Sequence, residues 1–193
     1  MDKFQNKYRI PSARHQNWDY RWDGAYFITI CTKDRQHYFG KIENGKMFLS
    51  NVGILADVFW HEIKNHNKNV ELGEFVVMPN HVHGILILNN NETVNNNETV
   101  AGNGNGVGKP SVVKSNEQTI GQQRFQNIGK NSISSIIGYY KSAVTKHAHR
   151  SGFEFGWQTR FHDYIVRDDD SFQTITHYIL NNPTNWQEDK FFQ

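Results

Sequence analysis

Two apolar runs, Phe75–Met78 and His81 to Leu88, are separated only by Pro79 and Asn80. Proline supplies no amide donor to a sheet and asparagine favours turns, so the pair predicts a chain reversal and the two runs an antiparallel hairpin. Strands this apolar need cover, which obliges the rest of the chain to supply further strands and a layer packed on them. Tyr26 to Thr32 is dense in aromatic and β-branched residues and follows Asp23-Gly24, the pattern of a strand entered from a turn. Phe161 to Arg167 reads as a fourth strand.

Helices fall between these strands. Leu55, Val58, Phe59 and Ile63 recur at helical spacing after Ser50-Asn51, which predicts an amphipathic helix from Val52 to about Asn65. From Ser132 onward, Ile133, Ile136, Ile137, Tyr140 and Val144 form a second helical stripe, with Lys141, Lys146 and Arg150 elsewhere on the same helix. The acidic run Asp168-Asp169-Asp170 suits the N-terminus of a last helix that runs to about Asn181 and stops at Pro183. The order strand, helix, strand, strand, helix, strand, helix predicts an α+β fold. It is a ferredoxin-like or RRM-like antiparallel four-stranded sheet with two helices on one face, plus a C-terminal helix. That layout serves many unrelated functions, so the site residues must name the activity.

Composition narrows the field. At 193 residues, with 37% hydrophobic and 21% charged residues, the chain has the size and balance of one soluble globular domain. No apolar stretch is long enough to span a bilayer and the polar, charged N-terminus is no secretory signal, so a cytoplasmic location is expected. A lone cysteine, Cys31, excludes an intrachain disulfide framework and a Cys-cluster zinc site. The net charge of +2 neither demands nor excludes a polyanionic partner. Residues 1–22 form a basic, aromatic arm carrying Arg9, Arg14 and Arg21 among Tyr8, Trp18, Tyr20 and Trp22. It suits either base stacking with phosphate neutralisation or a terminal segment packed by its own aromatics. Residues 23–193 read as a single domain interrupted at about 89–130 by an Asn/Gly-rich insertion, in which Asn-Asn-Asn-Glu-Thr-Val occurs twice in tandem.

The chemistry centres on His81-Val82-His83. On a strand, side chains alternate, so both imidazoles face one way while Val82 turns into the opposite layer. Neutral imidazoles bind divalent metals, yet the bare spacing is common by chance. His147-Ala148-His149 has the same spacing on a helix, where residues two apart point roughly 200° from each other and do not share an ion. On the last helix Tyr178 and Asn182 lie four apart on one face, with Thr174 a turn earlier. A phenol with a pKa of about 10 attacks poorly at neutral pH without a cation or base beside it. Tyr178 also borders the apolar stripe of Phe172, Ile175 and Ile179, which suits a core-edge tyrosine equally.

Together these segments resemble the REP-associated tyrosine transposases, members of the single-tyrosine HUH endonucleases. Met78-Pro79-Asn80-His81-Val82-His83 resembles the strand bearing the paired histidines. Trp157-Gln158 with Phe161 to Asp168 resembles the segment before the catalytic helix, and His177 to Pro183 that helix. Asp19-Tyr20 and Gly24-Ala25-Tyr26-Phe27 are similar to the N-terminal strand entry. The resemblance implies that His81 and His83 hold a divalent metal, Mg²⁺ or Mn²⁺, and that Tyr178 is the catalytic nucleophile. Asn182 takes the place of a third ligand, where more distant insertion-sequence relatives carry the longer Gln. It further implies a transposase-like endonuclease and strand transferase acting on single-stranded DNA at hairpin repeats through a 5′ phosphotyrosine, as a monomer or homodimer. Arg9, Arg14, Arg21, Lys141, Lys146 and Arg167 are the candidate DNA-binding cations. Two rivals stand beside this reading: a non-enzymatic RRM-like binder of single strands, and a water-using metal nuclease with Asp163 as its carboxylate. Tyr139 and Tyr140 are the competing tyrosines.

Overall fold

A computed structural model describes residues 3–4, 7–8, 19–89 and 132–192. Arg9, Arg14 and nearly all of the 89–130 insertion therefore lie outside the described residues. Of the arm, Lys3–Phe4 pairs antiparallel with Lys7–Tyr8.

The main chain order begins with strand β1 (Gly24–Cys31) and a small hairpin, β2 (Gly40–Glu43) and β3 (Lys46–Leu49). Helix α1 (Asn51–His66) leads into the long hairpin of β4 (Val70–Met78) and β5 (His81–Leu88), and then come α2 (Ile133–Arg150), β6 (His162–Val166) and α3 (Asp169–Asn181). The four long strands form one sheet in the order β4-β5-β1-β6, every neighbour antiparallel. This is the α+β, four-stranded antiparallel arrangement expected from the sequence. Among the described residues no helix is long and apolar enough to cross a membrane.

Side-chain alternation sorts the sheet into two faces. Cross-strand pairs such as Ile28 with Gly84 and Ile30 with Val82 place Tyr26, Ile28, Ile30, Val82 and Leu86 under α1 and α2. There they meet Trp60, Ile136, Ile137 and Tyr140, all buried. The intervening pairs, Thr29 with His83 and Cys31 with His81, belong to the opposite face. That face is closed by a second cluster in which Cys31 and Met78 pack on Trp186 and Phe191 from the C-terminal tail.

Side-chain oxygens start the helices: Ser50 accepts from the Gly53 amide (3.1 Å), Ser132 from Ser135 (3.3 Å) and Asp168 from Ser171 (2.7 Å). The stripe expected on α1 is rotated. Val58 is 47% exposed, whereas Val52, Ala56, Trp60 and Ile63 face the core, because Trp60 outweighs Val58 as buried area and sets the helix rotation. The β2–β3 hairpin was not foreseen, although Asn44 (φ 52°) and Gly45 (φ 71°) form the left-handed pair that two-residue hairpin turns require.

Gly84 is fixed by packing. A Cβ on Gly84 would sit 2.2 Å from Trp60 Cζ2, and that indole is also stacked on Phe75 with ring centroids 4.7 Å apart. Gly84→Ala is expected to cost about 1–3 kcal/mol through overpacking. Urea unfolding checks this, and an unchanged midpoint would contradict the seating of Trp60 on β5.

Candidate metal and tyrosine site

The alternation that buries Val82 brings His81 and His83 out on the same face with ring centroids 4.4 Å apart. Both are fully buried, at 0% and 1% exposure. Each is held from behind. His81 Nδ1 lies 2.9 Å from Asn80 Oδ1, and Asn80 Nδ2 donates to the Phe191 carbonyl (2.9 Å), so the amide orientation requires Nδ1 to be the protonated nitrogen. Its Nε2 then carries a lone pair, and no hydrogen-bond partner meets it. His83 Nδ1 lies 2.9 Å from Thr29 Oγ1, a hydroxyl that can accept or donate, so the Thr29 contact leaves the tautomer open.

Helix α3 delivers the other two residues. Tyr178 places its hydroxyl 3.2 Å from His83 Nε2 and donates to Asp189 Oδ2 at 3.1 Å. Asn182, one turn on and 3% exposed, donates Nδ2 to the same Asp189 oxygen at 2.9 Å and leaves its buried Oδ1 unpartnered. The four residues singled out in the sequence, His81, His83, Tyr178 and Asn182, thus converge.

Asp189 is the residue that sequence reasoning missed. It lies beyond the helix, where a short 3₁₀ turn at Trp186–Glu188 folds the tail back under the sheet. Its Oδ1 accepts from the Phe191 amide at 2.6 Å, and the Phe191 ring packs 4.6 Å from the His81 ring. The available signal was the aromatic content of the tail, since Trp186 and Phe191 need a surface to pack on. Asp163, proposed as the carboxylate of a water-using nuclease, pairs with Ile28 in the β1–β6 register and so belongs to the other face of the sheet.

Ligand atoms of His81, His83 and Asp189 lie within 4.8 Å of one another. Two imidazole nitrogens, a carboxylate and an unpartnered amide oxygen make a mixed N/O donor set suited to a hard or borderline divalent cation. The orphaned His81 Nε2 is a buried acceptor that such an ion would satisfy, so the residues fit the group, and Asn182 Oδ1 is a second buried acceptor left without a hydrogen-bond partner.

Burial sets the protonation of the site. Desolvation, with His83, Arg35 and Lys190 adding repulsion, drives His81 well below the usual imidazole range. Burial likewise pulls His83 down to about 3, partly opposed by Asp189. Both rings are neutral at pH 7 and ready to ligate. Burial and the neighbouring Asp189 carboxylate push the Tyr178 phenol up to about 12. The folded pKa values of the histidines lie below the unfolded value of 6.5, so the unfolded chain binds more protons as pH falls. Their stabilising contribution is complete above about pH 6.5 and erodes as pH falls below it, for His83 until its folded value of about 3 is reached. Urea unfolding of metal-free protein at pH 7.5, 6 and 5 should show this slope, and His83→Asn should reduce it. A slope identical in the two proteins would contradict burial of a neutral ring.

The remaining predicted residues lie elsewhere. Tyr139 directs its hydroxyl to His66 Nε2 (3.2 Å), and buried Tyr140 donates to the Ala56 carbonyl (3.0 Å), both on the helical side of the sheet. His147 packs on Phe59 and His149 Nε2 meets the Phe155 carbonyl, so this pair shares no site. Arg21 pairs with Asp19. Lys141 donates to the carbonyls of Gln158 (2.7 Å) and Thr159 (3.3 Å), and Lys146 and Arg167 are exposed. Cations do approach the histidine pair from other segments. Lys190 Nζ lies over the Phe191 ring at 4.9 Å, and the Arg35 guanidinium over the same ring at 4.2 Å. Asp34 (φ 51°) and Arg35 (φ 56°) both adopt left-handed backbone conformations, and Arg35 Nη1 is buried with no hydrogen-bond partner.

The four-stranded antiparallel sheet with its packed helices is a transposase-type fold. The structure of a REP-associated tyrosine transposase bound to a REP hairpin matches it with a TM-score of 0.53 at 17% identity, over 92% of this chain and 77% of that one. No family model matches the chain. The chain belongs to the same family as an uncharacterized protein of Haemophilus influenzae, with which it is 34% identical over 182 residues, 94% of this chain and 92% of the other.

Proposed function

We propose that this protein is a metal-dependent single-stranded DNA endonuclease and strand transferase of the transposase type, cleaving and rejoining DNA at hairpin repeats through a phosphotyrosine. The observation that carries the reading is the convergence of the Tyr178 hydroxyl on His83 Nε2 and Asp189 Oδ2, beside two neutral buried imidazoles. His81, His83, Asp189 and Asn182 would hold Mg²⁺ or Mn²⁺. Such a cation supplies charge to offset the negative charge that builds on the phosphate oxygens during displacement.

The protein's own groups account for the rest. Tyr178 Oη forms the new bond to phosphorus, the 3′ oxygen leaves, and the DNA 5′ phosphate stays on the protein. Asp189 Oδ2, already accepting the phenolic hydrogen bond, is placed to take that proton as the oxygen attacks. Arg35 and Lys190, both close to the Phe191 ring, add positive field near the site. Because the phosphoester bond is exchanged and not hydrolysed, a second 3′ hydroxyl can reverse the step without ATP.

The water-using nuclease gains a carboxylate beside the histidines in Asp189, but that carboxylate accepts a hydrogen bond from a tyrosine hydroxyl, which favours the phenol as nucleophile. The test incubates the full chain and Mn²⁺ with a labelled single-stranded DNA hairpin carrying single-stranded tails. A protein–DNA adduct that survives denaturant supports the proposal. Cleavage with no adduct would identify a nuclease, and binding with no cleavage an RRM-like reader.

A further inference from the structure

Beside Tyr178, between β6 and α3, lies an open groove of about 520 Å³ lined by Phe27, Tyr164, Asp170, Ser171, Thr174 and Ile175. We propose that it holds one unpaired nucleobase of the DNA strand next to the scissile phosphate, stacked on Tyr164. This inference rests on the single-stranded DNA reading above and adds a base subsite to it.

Three observations carry it. Phe27 and Tyr164 are directly opposed across the β1–β6 pair, so their rings share one face of the sheet. Tyr164 is 53% exposed, a large aromatic left open on a sheet, which is the arrangement by which sheets stack bases. The groove is also continuous with the chemistry. The Phe27 ring is stacked on His83 at 5.2 Å and meets the Tyr178 ring edge-on at 6.1 Å, while Thr174 stands one helical turn before Tyr178.

Charge selects the base over the backbone. Asp170 lines the groove and follows Asp168 and Asp169 at the start of α3, an acidic run that repels a phosphate. An ionised carboxylate is an acceptor only, so Asp170 suits a base that presents an exocyclic amine, and Ser171 and Thr174 add hydroxyls that donate or accept. Thymine, whose single N–H is flanked by two carbonyls, is the poorest match. The volume lies within the range of about 300–1,000 Å³ typical of ligand pockets.

The test uses a DNA hairpin with single-stranded tails on both sides, carrying fluorescent 2-aminopurine at each tail position in turn, in EDTA and at fixed salt. Wild-type protein should quench one position. Tyr164→Ala should abolish that quench and weaken binding by about 5- to 150-fold, and Tyr164→Phe should retain both. Asp170→Ala should bring tails with thymine and with an amine-bearing base at that position to within about twofold of each other. Unchanged quench and affinity in Tyr164→Ala would overturn the proposal, as would an affinity loss that persists when every tail position is made abasic. A parallel adduct assay with Mn²⁺ separates the two readings. Quench without adduct removes the transesterification and leaves the subsite, whereas adduct with normal affinity in Tyr164→Ala removes the subsite alone.

Discussion

Tyr178→Phe is expected to form no denaturant-resistant DNA adduct, with cleavage of a tailed hairpin reduced by a factor on the order of 10⁴ to 10⁶, the scale on which enzymes lose rate when the nucleophile itself is removed. The change deletes one oxygen from a side chain that is 39% exposed, and the ring contacts with His83 and Phe27 need no hydroxyl. The variant should therefore fold like the wild type and bind the same DNA. Separation of binding from chemistry is the informative outcome. If Tyr178→Phe still yields an adduct, another nucleophile is at work; Tyr139 and Tyr140 are both turned to the helical side of the sheet, so such a result would remove the proposed site altogether. If the wild type cleaves without adduct, Asp189 is serving a water molecule and not the phenol.

The second large effect concerns the imidazole pair. His81→Asn should lower adduct formation by about 10² to 10⁴-fold, corresponding to the several kcal/mol of transition-state charge stabilisation that a bound cation supplies. A structural readout accompanies it. Mn²⁺ at a hundredfold excess over its Kd stabilises a native state by about 2.7 kcal/mol, which in a chain of this size raises Tm by roughly 5–10 °C. The wild type should show that shift and His81→Asn should lose it, while the metal-free variant stays folded because its sheet register rests on backbone pairing of Met78 with His81. A full Mn²⁺ shift in His81→Asn would take His81 out of the ligand set, whatever the activity shows.

Both predictions depend on residues that the sequence alone makes legible. His81 and His83 were readable because strand alternation is a local rule that needs no knowledge of what the strand faces. Tyr178 and Asn182 were readable as a pair for the same reason, four residues being one helical turn. The caps at Ser50, Ser132 and Asp168 and the reversal at Pro79-Asn80 are equally local. Where a local pattern was ambiguous, tertiary packing chose. The rotation of α1 turned on Trp60 finding its place over Gly84, a contact between residues 24 positions apart that no periodicity contains. Strand β4 begins at Val70 and not near Phe75, because Glu71, Gly73 and Glu74 break the apolar run while the backbone continues to pair with β5 through an irregular register between Leu72 and Phe75.

By itself, the sequence determined the order of the four sheet strands and three long helices, the antiparallel layout, the shared face of the two histidines and the shared turn of Tyr178 and Asn182. Only the tertiary structure decided that these two local pairs meet, that Asp163 belongs to the other face, and that Asp189 closes the site. The reason is physical. Periodicity and caps are encoded over a few residues, where steric and hydrogen-bond preferences act, whereas Asp189 reaches the histidines because Trp186 and Phe191 bury themselves against Cys31 and Met78. That placement follows from which apolar surfaces remain uncovered after the sheet has formed, a property of the assembled fold.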